Sequence, residues 1–386
     1  MKHSAIYRPE IQGLRGIACL IVLMGHSVAC IFPAIYFGNS YQQHSQVEAF
    51  IHKTPLNLLF NGSAMVMVFF IISGYLIGQK KESLNIVNFI IKRYIRYLPM
   101  VSISIISSAI VMSLQAVNSL RLAKYSYAGK YVNLYNHFPP TIFGKNGVLI
   151  EIFVKTFLVG SNYCNVLWYI SVAFWGDIVF AFLLNYLNNK KYKKTILRII
   201  IAFLWIAGIG VWQLQYVSGI AMGILIAEQD VSLDGLKSCC CFLIGVLLLS
   251  FEDKGAAGIY APLRDISKWI VPIWCIGGGM ALIGIMQNER ICKLFRTKLL
   301  MCFGKYSFAI YALQWPIIVS MSCGSCLILY IAGLNYSLAG VAGILVGAGI
   351  TIGLSIFAQN KIYTPIYETF MAVWNKIYNT HTIVEE

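Results

Sequence analysis

The stretch Arg8-Pro9-Glu10-Ile11-Gln12-Gly13-Leu14-Arg15-Gly16-Ile17-Ala18-Cys19-Leu20-Ile21-Val22-Leu23-Met24-Gly25-His26 decides how the rest of the chain is read. From Leu14 onward it is apolar enough to enter a bilayer, with Arg15 at its head and His26 further along inside it. On a helix the interval between them closes about three turns, so the two side chains fall within roughly 20° of one face and about 16 Å apart along the axis. One face then carries a cation near the water and an imidazole near mid-bilayer. An ionisable group at that depth is costly, and its default reading is functional. The plainer reading is a polar side chain hydrogen-bonded to a neighbouring helix.

Outward from this segment the whole chain has the same character. Hydrophobic residues make up 58% of the 386 and charged ones 12%, with a mean hydropathy of +0.71, which excludes a soluble domain of ordinary composition. The expected fold class is all-α, a polytopic membrane bundle of about ten spans of roughly 20 residues each. The formal charge of +15 does not call for a nucleic-acid partner, because the basic residues cluster between apolar runs, where the positive-inside rule puts them. The eleven cysteines lie mostly inside apolar stretches, Cys239-Cys240-Cys241 and Cys275 among them, and read as small buried residues. Although Lys2 and Arg8 precede an apolar run, a cleaved signal peptide is not expected, since it would remove the most distinctive polar pair in the chain.

Ten apolar runs follow one another, near 14–35, 56–78, 99–117, 167–187, 196–213, 216–228, 238–251, 269–287, 306–334 and 338–358. Three basic clusters separate them: Lys80, Lys81, Lys92, Arg93 and Arg96 as a short loop, Lys190 to Lys194, and Arg290 to Lys305. With all three inside, both termini are cytoplasmic. Glu252, Asp253, Arg264 and Asp265 fall in an outer loop, and the segment 118–166 carries His137 and Pro139-Pro140. Within it, 150–160 is apolar but interrupted by Lys155, as in an interfacial or re-entrant helix. Gly343 to Gly347 and Gly349 to Gly353 are small-residue spacings explained by close helix packing. Residues 1–360 form the membrane domain, and 361–386 form a short cytoplasmic tail with an amphipathic segment and a frayed end.

Four constellations carry chemistry. Arg15 and His26 are the first, since an imidazole with a pKa near 6.5 suits proton abstraction from a hydroxyl. Arg93 and Arg96 are the second. They share a helix face, and their planar forks suit either a phosphorylated substrate or lipid headgroups. Asp177, inside an apolar run, must find a partner; it either orients His26 or pairs with an arginine. The stretch Tyr306 to Pro316 places Tyr311 and Trp315 one turn apart, with the Gln314 amide beside them. No metal-ligand cluster at plausible spacing exists.

Taken in order, these stretches resemble the acyltransferase-three family of integral membrane acyltransferases. Arg8 through His26 is similar to its opening signature, Phe69-Phe70-Ile71-Ile72-Ser73-Gly74-Tyr75-Leu76-Ile77 to its second element, Arg93 and Arg96 to its paired arginines before a proline, Leu167-Trp168 to its central span, and Tyr306 to Pro316 to its late one. The resemblance implies transfer of an acyl group, usually acetyl from cytoplasmic acetyl-CoA, to a hydroxyl of a sugar or lipid-linked glycan in the cell envelope or in a secreted polysaccharide. Acyl-CoA is then a donor substrate and no permanently bound cofactor is expected. The implied location is the inner or plasma membrane. Carried over, His26 is the base, Arg15 and Asp177 its catalytic companions, Arg93, Arg96, Ser73 and Tyr75 bind the donor, and Trp168, Tyr311 and Gln314 meet the acceptor. Two positions depart from the family. Ala173 and Phe174 replace a common acidic pair, as in a subgroup of glycan O-acetyl- and O-succinyltransferases, and Gln314 stands where a His is frequent. The competing reading is a glycan transporter or flippase in which Arg15, His26 and Asp177 line a path, although no inverted repeat is evident. The oligomeric state is left open.

Overall fold

The computed structural model describes residues 8–38, 41–80, 84–128, 140–144, 147–188, 190–229, 231–252 and 258–384, without the side chains of 263–265, 267 and 379–384. Lys2, Lys81, His137, Pro139 and Asp253 lie outside these residues, as do the side chains of Arg264 and Asp265. Of the described residues, 84% are helical. Each apolar run falls on a helix: α1 (Pro9–Ile31), α2 (Gly62–Gly78), α3 (Ile86–Ser113), α4 (Trp168–Leu187), α5 (Lys193–Ala207), α6 (Trp212–Ala227), α7 (Gly235–Leu249), α8 (Ile270–Gln287), α9 (Lys298–Ile317) and α10 (Tyr336–Ala358). Among the described residues, six helical segments are long and apolar enough to cross a membrane, and α2, α6 and α7 are shorter apolar helices.

Helix α1 is central because it can be approached closely. Pro9 at its first turn has a fixed φ suited to a helix start. A Cβ added at Gly304 of α9 would run into the Gln12 carbonyl of α1, so only glycine lets these backbones meet. Buried Glu10 ties the same end down: Arg296, just before α9, donates from Nε to its Oε2 at 3.0 Å. On its other sides α1 packs against α2 and α10.

Three expectations need correction. The basic cluster after α2 is not a loop throughout, because α3 begins at Ile86, under an Asn85 side chain that accepts from the Asn88 N–H, and carries Lys92, Arg93 and Arg96 in its first turns ahead of Pro99. Of the small-residue spacings, Gly343 and Gly347 pack against Ser322, but Gly349 and Gly353 face open space. Cys240 is exposed on the outside of the bundle. The amphipathic segment of the tail is a helix, since α10 runs through a π turn (Gln359–Tyr363) into α11 (Thr364–Val384). The apolar piece with Lys155 is a short broken helix. Buried Glu151 accepts from the Lys155 Nζ at 2.8 Å and neutralises it.

Candidate active site

One cavity of about 440 Å³ opens at the end of the bundle that carries Lys80 and the start of α3. Its walls follow from helical spacing. On α3 the lining residues are Asn85, Asn88, Phe89, Lys92, Arg93, Arg96 and Tyr97, alternating by three and one, a single face that runs inward for about 18 Å. On α2 the facing stripe is Phe69, Ile72, Ser73, Leu76 and Ile77, with Lys80 just beyond the helix end. Arg15 of α1, Tyr169 of α4, and Ser307 and Tyr311 of α9 form the inner part. The Tyr169 and Tyr311 rings meet edge to face at 5.4 Å, and the Tyr311 hydroxyl donates to the Val166 carbonyl.

Charge is the dominant property of this space. Arg15, Lys80, Lys92, Arg93 and Arg96 all line it. Asp177, fully buried, opposes them: its Oδ2 lies 3.0 Å from Arg93 Nη2, and its Oδ1 accepts from the Ser73 hydroxyl at 2.8 Å. Of the two roles open to Asp177, the structure contains the ion pair with arginine. Arg15, Lys80, Lys92 and Arg96 have no carboxylate within 4.0 Å among the described residues. Phe89 steadies two of the cations, with the Lys80 ammonium 5.6 Å and the Arg93 guanidinium 5.3 Å from its ring centre. Partial burial, then repulsion from Arg93, Lys92 and Arg96, holds the Lys80 ammonium below the ordinary lysine range, and Asp177 acts in the opposite direction. A space with this balance is electrostatically suited to an anion.

Not every expected residue lines the cavity. Ser73, Arg93, Arg96, Arg15 and Tyr311 do. Tyr75 points elsewhere and accepts from the Gln79 amide at 2.8 Å. Trp168 packs edge-on to Trp212 and Tyr216 at 4.7 and 5.3 Å. Gln314 is buried and donates to the Tyr311 carbonyl at 3.1 Å. His26 is half-buried beyond the inner end of the cavity, edge-on to Trp315 with ring centres 6.0 Å apart. Trp315 stands one turn of α9 beyond Tyr311, so the imidazole and the cavity are joined through that turn. Residues not singled out from sequence are Asn85, Asn88, Phe89, Tyr97, Tyr169, Ser307 and Tyr367.

Residues 8–360 match the sequence model of the acyltransferase-three family, described as an acyltransferase domain. The chain belongs to this family. Comparison with curated proteins and with solved structures gave no match. This acyltransferase-three protein is therefore a multi-pass membrane acyltransferase. The match spans α1 to α10 and stops before α11.

Proposed function

We propose that the protein transfers an acyl group, most simply acetyl, from acyl-CoA to a hydroxyl of a carbohydrate of the cell envelope or of a secreted polysaccharide. One observation carries the donor: four cavity cations of a membrane acyltransferase have no carboxylate within 4.0 Å among the described residues. CoA brings about four negative charges, two on its pyrophosphate and close to two on its 3′-phosphate. Arginine forks suit those oxygens, and the walls between Phe69 and Ile77 suit the neutral pantetheine arm.

For the chemistry, His26 takes the proton of the acceptor hydroxyl as its oxygen forms a bond to the thioester carbon. The C–S bond breaks and the proton passes to the departing CoA sulfur. His26 is the only histidine on α1, and it shares a face with Arg15, which supports their acting at the two ends of one path. Trp168, Tyr311 and Gln314 remain the residues proposed for the acceptor. The plasma membrane, with the basic end in the cytoplasm, is the location that gives soluble acyl-CoA access.

Acceptor-dependent release of CoA from acetyl-CoA by the purified protein, with surface polysaccharide as acceptor, tests this reading. Transfer that proceeds from a different donor and ignores acetyl-CoA overturns it. The donor site has a pH signature as well. Raising the pH removes the Lys80 proton earlier than that of an ordinary lysine, so the cavity loses a cation and acetyl-CoA affinity falls before the ordinary lysine range is reached. Lys80→Met should bind roughly tenfold more weakly at neutral pH and show a flatter profile in equilibrium dialysis. An identical slope in the variant would remove Lys80 from the site.

A further inference from the structure

The helix beyond the family match is fastened across the cavity mouth. At its start the Tyr363 hydroxyl donates to the Arg96 carbonyl of α3 at 3.1 Å. Three turns on, Trp374 Nε1 donates to Asn88 Oδ1 at 2.9 Å. Between these two points Tyr367 enters the cavity lining, its ring parallel to Tyr363 within 5° and 5.6 Å away. The bond from Trp374 also settles what Asn88 offers the cavity. With Oδ1 engaged, the free group is the amide NH₂, a donor. Asn85 is in the same condition, because its Oδ1 accepts from the Asn88 N–H as the helix cap. The mouth thus combines a flat aromatic ring, two amide donors, and the cations Lys80 and Lys92.

We propose that α11 is part of the donor site, with Tyr367 stacking on the adenine of the CoA nucleotide while Asn85 and Asn88 donate to its ring nitrogens or phosphate oxygens. The assignment rests on acyl-CoA as donor. A purine has a π face for the tyrosine and ring acceptors for the amides, whereas the pantetheine arm has no aromatic group and sits deeper, between α2 and α3. Tyr367 and Trp374 are then specificity-determining residues outside the segment that defines the family.

The test compares CoA with pantetheine, which lacks the nucleotide, by equilibrium binding to the full-length purified protein. Tyr367→Ala should weaken CoA binding about tenfold and leave pantetheine within about twofold. Tyr367→Leu, which keeps apolar bulk without a π face, should behave like the alanine variant, and Tyr367→Phe like wild type. Trp374→Phe, which frees the Asn88 amide to turn, should weaken CoA about threefold. Val373→Ala, on the exposed side of the same helix, should change neither ligand. CoA binding that Tyr367→Ala and Tyr367→Leu leave unaltered, or an equal loss for both ligands, overturns the role of α11 while the donor reading stands. Wild-type protein that binds no CoA overturns the donor reading itself, and this assignment with it.

Discussion

Replacing His26 with alanine should lower turnover by about 10²–10⁴-fold while acetyl-CoA still binds. The expectation rests on the separation between the two parts of α1. Arg15 belongs to the cation-lined cavity, and His26 lies about three turns away, against Trp315. A change at His26 should therefore spare the donor end and strike the step that needs a proton acceptor. Dialysis with acetyl-CoA and acceptor-dependent CoA release, measured on one preparation, separate the two effects. Turnover within about tenfold of wild type would exclude His26 as the base. Equal loss of binding and turnover would place it in the donor site instead.

Asp177→Ala should cost about 3–5 kcal/mol of stability, because it leaves Arg93 in the bundle without its carboxylate. Most of that cost should return in the double variant Asp177→Ala with Arg93→Met, where both positions are apolar. The denaturation midpoint in detergent for the four proteins of the cycle measures the coupling. The alternative role, orientation of His26, predicts something different: Asp177→Asn would fold normally and shift the pH dependence of turnover. In the structure the carboxylate holds Arg93 and accepts from Ser73, so the stability loss should dominate.

The positions of the helices could be read from the chain because apolar runs of about span length have few other uses. Arg15, Arg93 and Arg96 were equally legible as cavity residues, since an arginine beside an apolar run needs an anionic partner or water. The partner of Asp177 was not, because Arg93 and Ser73 reach it from two other helices, and no local pattern records that meeting. A local signal did exist for Asn85, Asn88, Phe89 and Tyr97, which continue the stripe of Lys92, Arg93 and Arg96 at helical spacing. Reading the charges as a loop hid it, for a stripe has meaning only once the helix is extended back past Pro99. Tyr367 was illegible for another reason. Its helix is too polar to resemble a span, and what it covers is assembled from α2 and α3 far earlier in the chain.

The surplus of positive charge has a consequence for anyone assaying the enzyme. Clustered guanidinium groups attract small oxyanions such as sulfate and phosphate, and in a recess bounded by protein that attraction outlasts the screening that weakens it on an open surface. Apparent Michaelis constants will then depend on which buffer salt fills the chamber before the acyl donor arrives, and values obtained in phosphate and in chloride media describe two different competitions.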